Sequence, residues 1–234
     1  MTLAEKTSKT TQPAAAAARP AEIVREYGPF PGADKVAGVS HDGQRVWFAG
    51  GARLIAFDPE SGQVERTLPR AGDAGTAFDG KHLWQIAETR IDKIDPATGD
   101  VVASIPAPGS GSDSGLAWAD GSLWVGQYRG RRIHRIDPAT GAVLRTIESN
   151  RFVTGVTWVD GELWHGTWEG DDSEIRRIDP DSGAVLDRLQ MPAGTGVSGL
   201  ESDGAGLFYA GGGGSGTVRA VRRPRAAAAA LSNS

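Results

Sequence analysis

Residues 115–147 read GLAWADGSLWVGQYRGRRIHRIDPATGAVLRTI, and the order of turns and apolar residues in this stretch decides the fold. Asp120-Gly121 is a tight-hairpin signal, because Gly tolerates the positive φ that a two-residue turn requires. In Asp137-Pro138-Ala139-Thr140-Gly141, Asp can accept from the backbone just ahead, Pro presets φ, and Gly takes the left-handed position that closes the turn. The residues between and after these turns alternate in the manner of strands. The stretch therefore reads as strand, Asp-Gly turn, strand, loop, strand, Asp-Pro turn, strand.

The same order recurs along the chain. Asp-Gly appears at Asp42, Asp79, Asp120, Asp160 and Asp203, in steps of 37, 41, 40 and 43 residues. An aromatic follows each one: Trp47, Trp84, Trp124, Trp164 and Phe208. The Asp-Pro-x-Ser/Thr-Gly turn recurs at Asp58, Asp95, Asp137 and Asp179. Four antiparallel strands in about 40 residues is the dimension of a propeller blade. The fifth repeat lacks a fourth strand after Val218 to Val221, whereas Glu22 to Tyr27 alternates like one and precedes the first blade. The expected fold is all-β, a five-bladed β-propeller over residues 21–225 whose last blade is closed by an N-terminal strand. Residues 1–20 and 226–234, rich in Ala and without large apolar side chains after Leu3 until Leu231, are expected to be disordered.

Composition narrows the function classes. With 33 Gly and 13 Pro in 234 residues, a helical bundle is excluded. No apolar run approaches the roughly 20 residues that cross a bilayer as a helix. The formal net charge is −4, with basic residues scattered except near the C-terminus, so neither a nucleic acid nor a membrane is the expected partner. The chain has no Cys, which removes disulfide and thiolate chemistry. A cytoplasmic monomer is the expectation.

Residues that repeat belong to the scaffold, so function is sought in those that do not. Trp47, Trp84, Trp124, Trp164, Trp118 and Trp158 occupy repeat slots and read as wedges between blades. Trp168 occupies none. It lies where the connection from second to third strand of blade four is lengthened, and reads as a ligand wall beside the tunnel mouth. His165, aligned with Phe48, Gln85, Val125 and Tyr209, reads either as a general acid or base or as a hydrogen-bonded packing residue. Asp73 and Asp113 each stand two residues before an inner-strand glycine, which places two carboxylates near the rim. Glu201 falls where other inner strands carry Ser40, Ala77, Ala117 and Thr157, so it needs a partner or a raised pKa. Gln127, Tyr128 and Glu169 complete the polar rim. No cofactor is expected; the carboxylates of this face offer oxygen ligands to a divalent metal, without the spacing of a calcium loop. Gly194 to Gly199 fits G-x-G-x-x-G, but it precedes an inner strand instead of opening a helix, so the dinucleotide reading fails.

These repeats resemble two propeller families. Gly115-Leu116 through Gly141 and Gly155-Val156 through Gly183 are similar to the repeats of streptogramin (virginiamycin B) lyases. That family acts through a His just before an inner-strand glycine and a Glu three residues after a second-strand Trp. Here those places hold Ala37, Ala74, Ser114, Thr154 and Ser198, and Gly50, Ala87, Gln127, Thr167 and Gly211. The blade count and length resemble the glutaminyl cyclase (glutamine cyclotransferase) family, whose Leu-Thr-Trp motif is similar to Gly166-Thr167-Trp168. Its Phe-Thr-Gln-Gly-Leu motif has only Asp113-Ser114-Gly115-Leu116 and Val197-Ser198-Gly199-Leu200 near it, both without Gln. The resemblance implies a small molecule or peptide N-terminus bound at the tunnel mouth, with His165, Glu201 and Asp113 as catalytic candidates. Trp168, Glu169, Gln127, Tyr128 and Asp73 would bind the ligand. A non-catalytic protein-interaction propeller is the alternative.

Overall fold

The turn chemistry works as its residues require. In a computed structural model describing residues 17–224, Asp120 and Asp160 join Gly121 and Gly161 in positive φ, giving two-residue hairpins in blades three and four. In blades one and two the Asp instead holds a wider turn. Asp42 Oδ1 accepts from the backbone N–H of Gln44 and Arg45, while Oδ2 accepts from the Trp47 indole at 2.7 Å. Asp79 does the same for Lys81, His82 and Trp84. In the Asp-Pro turns, the N–H groups of Gly62, Gly99, Gly141 and Gly183 donate to the Asp carbonyls, at 2.7 to 2.8 Å.

Joined by these turns, the strands form five antiparallel sheets. Blade one comprises Val39–His41, Val46–Ala49, Leu54–Phe57 and Val64–Leu68. Blade two comprises Thr76–Phe78, Leu83–Ala87, Arg90–Ile94 and Val101–Pro106. Blade three comprises Asp113–Ala119, Ser122–Gln127, Arg132–Ile136 and Val143–Glu148. Blade four comprises Val156–Val159, Glu162–Glu169, Asp172–Ile178 and Val185–Gln190. Blade five takes Leu200–Ser202, Leu207–Gly211 and Val218–Arg222, and Ile23–Tyr27 completes it antiparallel to Val218–Arg222. The architecture is the expected five-bladed β-propeller, with no helix among the described residues and hence none long and apolar enough to cross a membrane. Residues 1–16 and 225–234 lie outside the described residues and with them the expected 226–234 tail and all of the expected 1–20 arm except its last four residues.

One addition has no side-chain signature. Arg19–Pro20, at the end of the arm expected to be disordered, instead pairs parallel with Leu189 and Gln190, giving blade four a fifth strand. The pairing uses backbone groups, so nothing in the sequence pattern announces it.

The core is divided into five slabs, one between each pair of neighbouring blades. The aromatic wedges form these slabs. Trp84 stacks on Trp118 of the next blade at 5.9 Å, and Trp124 on Trp158 at 5.5 Å. Blade five departs from the expected alignment. Its turn, Asp203 to Leu207, contains one extra residue, and Glu201 therefore pairs with Tyr209, as Thr157 pairs with Trp164. Tyr209, not Phe208, occupies the Trp slot, and Ala210 matches His165. A one-residue slip turns each side chain to the opposite face. Phe208 accordingly packs back on Trp164 at 5.0 Å, while Tyr209 faces His41 of blade one.

At the axis the inner strands meet through a ring of glycines. A Cβ on Gly38 would lie 2.3 Å from the Ala74 carbonyl oxygen, and one on Gly75 2.4 Å from the Leu116 nitrogen. One on Gly115 would lie 2.5 Å from the Thr154 oxygen, one on Gly155 2.2 Å from the Leu200 nitrogen, and one on Gly199 2.7 Å from the Val39 nitrogen. Each glycine thus lets its strand touch the backbone of the next blade, and the five contacts close the circle.

Candidate functional site

Just before each of these glycines one side chain points into the tunnel mouth: Ala37, Ala74, Ser114, Thr154 and Ser198. They line a cavity of about 220 Å³ whose wall is raised by Asp73, Asp113, Tyr128 and Trp168. Four of the eight residues selected from the sequence therefore meet around one pocket. The five that precede the glycines were missed as lining residues; their recurrent position directly ahead of the inner-strand glycine was the available signal.

Trp168 is held more firmly than a loop residue. The extra residues of blade four do not enlarge a loop, as expected, but lengthen its central hairpin. Thr167, Trp168 and Glu169 pair with Glu174, Ser173 and Asp172, and Gly170-Asp171 forms the turn. The Trp168 indole N–H donates to the Gly170 carbonyl at 2.9 Å. Its ring lies over blade five, where a Cβ on Gly196 or Gly213 would come within 2.6 Å or 2.5 Å of it. The glycines of the 194–199 segment thus make room for an indole and for the inner-strand contact. Tyr128 crosses from blade three, donating to the Trp168 carbonyl at 3.2 Å and packing on Phe152 with ring centroids 4.6 Å apart.

Asp113 opens the inner strand of blade three opposite Gln127. Its side chain is 8% exposed, with Oδ2 accepting from the Gly109 N–H at 2.9 Å. Oδ1 is buried, with the Gln127 amide beside it. Burial raises the carboxyl's pKa, and the Gly109 N–H and the Gln127 amide offset that only in part. The pocket's hydroxyls differ in availability. Ser114 donates to the Val153 carbonyl and Ser198 to that of Val36, so both tie adjacent blades together. Thr154 Oγ1 is buried and unbonded. The cavity is thus walled by the Asp113 carboxyl, an exposed Asp73 and two aromatic rings, with Thr154 Oγ1 buried behind them, and no cationic side chain lines it.

The remaining candidates lie elsewhere. Gln127 stands behind Asp113, 7% exposed, and does not line the cavity. Glu169 accepts from the Phe152 N–H at 2.8 Å and pairs with Arg151 at 3.2 Å. His165 is 1% exposed and away from the cavity; its Nδ1 contacts the Gly166 carbonyl at 3.0 Å, which requires the proton on Nδ1. Nε2 is buried and unbonded. Burial, aided by nearby Arg176, pushes its pKa down to about 4, so the ring is neutral at neutral pH. Beneath it Glu174, Asp172 and Glu169 face Arg151, Arg176 and Arg188 in an ion cluster. Sequence reasoning passed over Arg151, which reaches all three of these acids from a loop between blades. Among the described residues no group of three or more acidic or His side chains is placed to hold a metal ion.

Glu201 sits deeper in the channel. Its carboxyl accepts from the Thr157 hydroxyl of blade four and from the Ser202 N–H at 2.8 Å, beside Ser40 of blade one. The side chain keeps some exposed area, yet burial dominates these bonds and pushes its pKa up to about 7. A carboxyl raised in the folded state adds no penalty while protonated, and its contribution is lost as pH rises through that value. Glu201→Gln keeps an oxygen to accept both bonds. Thermal denaturation across pH is expected to show the variant melting several degrees above the parent at pH 8 and level with it at pH 4. Equal melting temperatures at pH 8 would contradict the assignment.

No protein-family model and no curated protein matches the chain. Among solved structures it is similar to glutaminyl cyclase of Myxococcus xanthus, with a TM-score of 0.70 at 18% identity over 87% of this chain and 96% of that one. It is also similar to virginiamycin B lyase of Staphylococcus aureus, with a TM-score of 0.50 at 15% identity over 86% of this chain and 70% of that one. At such identities the likeness is one of fold. Both propeller families that the repeats resemble are thereby met again in three dimensions.

Proposed function

We propose that the tunnel-mouth cavity binds a small molecule or peptide terminus through a positively charged amine, as in a glutaminyl-cyclase-like protein. The observation that carries this reading is the largely buried Asp113 carboxyl in a cavity that no cationic side chain lines, since an anion out of water without a charged partner favours a cationic ligand. Asp73 adds a second carboxylate from the neighbouring blade, and Trp168 and Tyr128 offer faces against which the ligand body stacks. Binding is better supported than turnover. The buried imidazole of His165 and the channel carboxyl of Glu201 are not among the cavity's lining residues, so the cavity lacks an adjacent acid–base pair.

The test is calorimetric titration with a free glutaminyl dipeptide, alongside an assay for its cyclised product. The free dipeptide is expected to bind and its N-acetyl derivative to fail. Asp113→Asn is expected to weaken binding by roughly tenfold or more, the order of a lost charge-assisted hydrogen bond. Equal binding of the acetylated peptide, or an unaffected Asp113→Asn variant, would remove the reading. Cyclisation abolished by the same substitution would extend it to catalysis.

A further inference from the structure

The junction between blades five and one has a wedge unlike its neighbours. Trp84 meets Trp118 and Trp124 meets Trp158, but here Tyr209 stacks on His41, with centroids 5.8 Å apart and planes 14° from parallel. Two smaller rings leave a cleft of about 800 Å³ on the face that carries the Asp-Gly and Asp-Pro turns. The cavity beside Trp47, between blades one and two, measures about 260 Å³. The larger cleft is within the usual size of a ligand site.

Its chemistry is aromatic and anionic. Tyr27 and Tyr209, 6% and 3% exposed, and the His41 imidazole form the aromatic part, while Asp58, Glu60 and Asp203 supply carboxylates. Asp203 accepts the N–H groups of Ala205, Gly206 and Leu207 on Oδ1 alone, which leaves Oδ2 for a ligand. Arg25 is the one cationic side chain lining the cleft. Its Nη1 donates to the carbonyls of Pro59 and Glu60, and its guanidinium lies 4.8 Å from the Tyr27 ring. His41 Nδ1 accepts from the Gly43 N–H at 3.2 Å, so the proton is on Nε2, and burial lowers the ring's pKa. With three carboxylates against one engaged guanidinium, the cleft has a negative field beside the edges of three packed rings.

We propose that this seam cleft is a second ligand site and takes an organic cation, an ammonium group carried on an aromatic body. The ammonium pairs with Asp203 Oδ2 and the body lies against the outer edges of Tyr27, Tyr209 and His41, an arrangement stabilised by charge pairing and apolar contact. The ligand touches both the strand Ile23–Tyr27 and the turn of blade one, so its binding also fastens the closure of the ring.

The test uses the full chain carrying Asp113→Asn, which disables the tunnel-mouth cavity, titrated with phenethylammonium chloride. Saturable binding and a raised melting temperature are expected. Neutral 2-phenylethanol is expected to bind at least about tenfold more weakly, and Asp203→Asn, whose Oδ1 still holds the turn, to lose a similar factor. His41→Trp rebuilds the wedge found at Trp118 and Trp158 and is expected to abolish binding. Should that variant fail to fold, the alcohol and Asp203→Asn decide alone. No saturable binding, equal binding of the alcohol, or binding unchanged by Asp203→Asn would overturn the proposal. None of these results bears on Asp113, so the two sites stand or fall separately.

Discussion

Gly155→Ala is expected to cost about 3 kcal/mol or more and to remove most of the cooperative unfolding transition in urea. The added Cβ would sit 2.2 Å from the Leu200 nitrogen and 2.5 Å from the Gly199 carbonyl carbon, both backbone atoms of the next inner strand. No side-chain rotation relieves such a clash, so blades four and five must separate. Because the contact is one link of a closed circle, the displacement has to be absorbed at the other junctions. Gly155 does not have a positive φ, so left-handed backbone preference is not involved. Gly206→Ala is the control: that glycine also lacks a positive φ, and an added Cβ meets nothing within 4 Å. It is expected to change stability by no more than about 0.5 kcal/mol. Similar midpoints for the two variants would show that the axial contacts do not limit the fold.

Glu174→Gln is expected to be comparably severe, at about 3–5 kcal/mol. Glu174 is 1% exposed and bonds both Arg176 and Arg188, with Arg151 at 4.0 Å. Burial alone would raise its carboxyl, but the bonds from Arg188 and Arg176 outweigh it and hold the pKa below the usual range. The neutral amide would leave two guanidinium groups, one of them 5% exposed, without their central anion. The pH dependence has a definite sign. A carboxyl lowered by folding contributes fully above its unfolded pKa, and that contribution is lost as pH falls through the folded one. Parent and variant should therefore converge in acid and diverge above pH 5. The exposed pair Arg145–Asp181, 42% and 82% exposed, is the counter-example, and Asp181→Asn should cost less than about 1 kcal/mol. A Glu174→Gln variant as mild as Asp181→Asn would mean that the cluster is solvated.

The scaffold was readable because it is written five times in residues with strict local chemistry. Asp-Gly and Asp-Pro-x-Thr-Gly act within a few residues, and repetition separates them from chance. Blade five shows where that approach fails. Spacing from Asp203 to the next aromatic suggested Phe208, whereas pairing with the inner strand selects Tyr209, because one more turn residue shifts the facing of every side chain after it. The parallel pairing of Arg19–Pro20 depends on backbone groups alone and left no pattern. Within the site, Asp73, Asp113, Tyr128 and Trp168 could be selected as departures from the repeat near its rim. Position in a strand does not reveal depth, however. His165 follows a wedge Trp and is sealed between blades, and Glu201, on an inner strand, lies farther along the channel than the mouth.

The pairing of Ile23–Tyr27 with Val218–Arg222 has a consequence for biosynthesis. The first of these segments leaves the ribosome ahead of every blade, and its partner emerges only after every other strand of the propeller has been made. Until then the segment has no mate, and the nascent arc presents raw edges at both of its ends. Closure is therefore the last pairing the propeller can make and carries a long loop-entropy cost, and the interval before it is when the young protein is most open to aggregation.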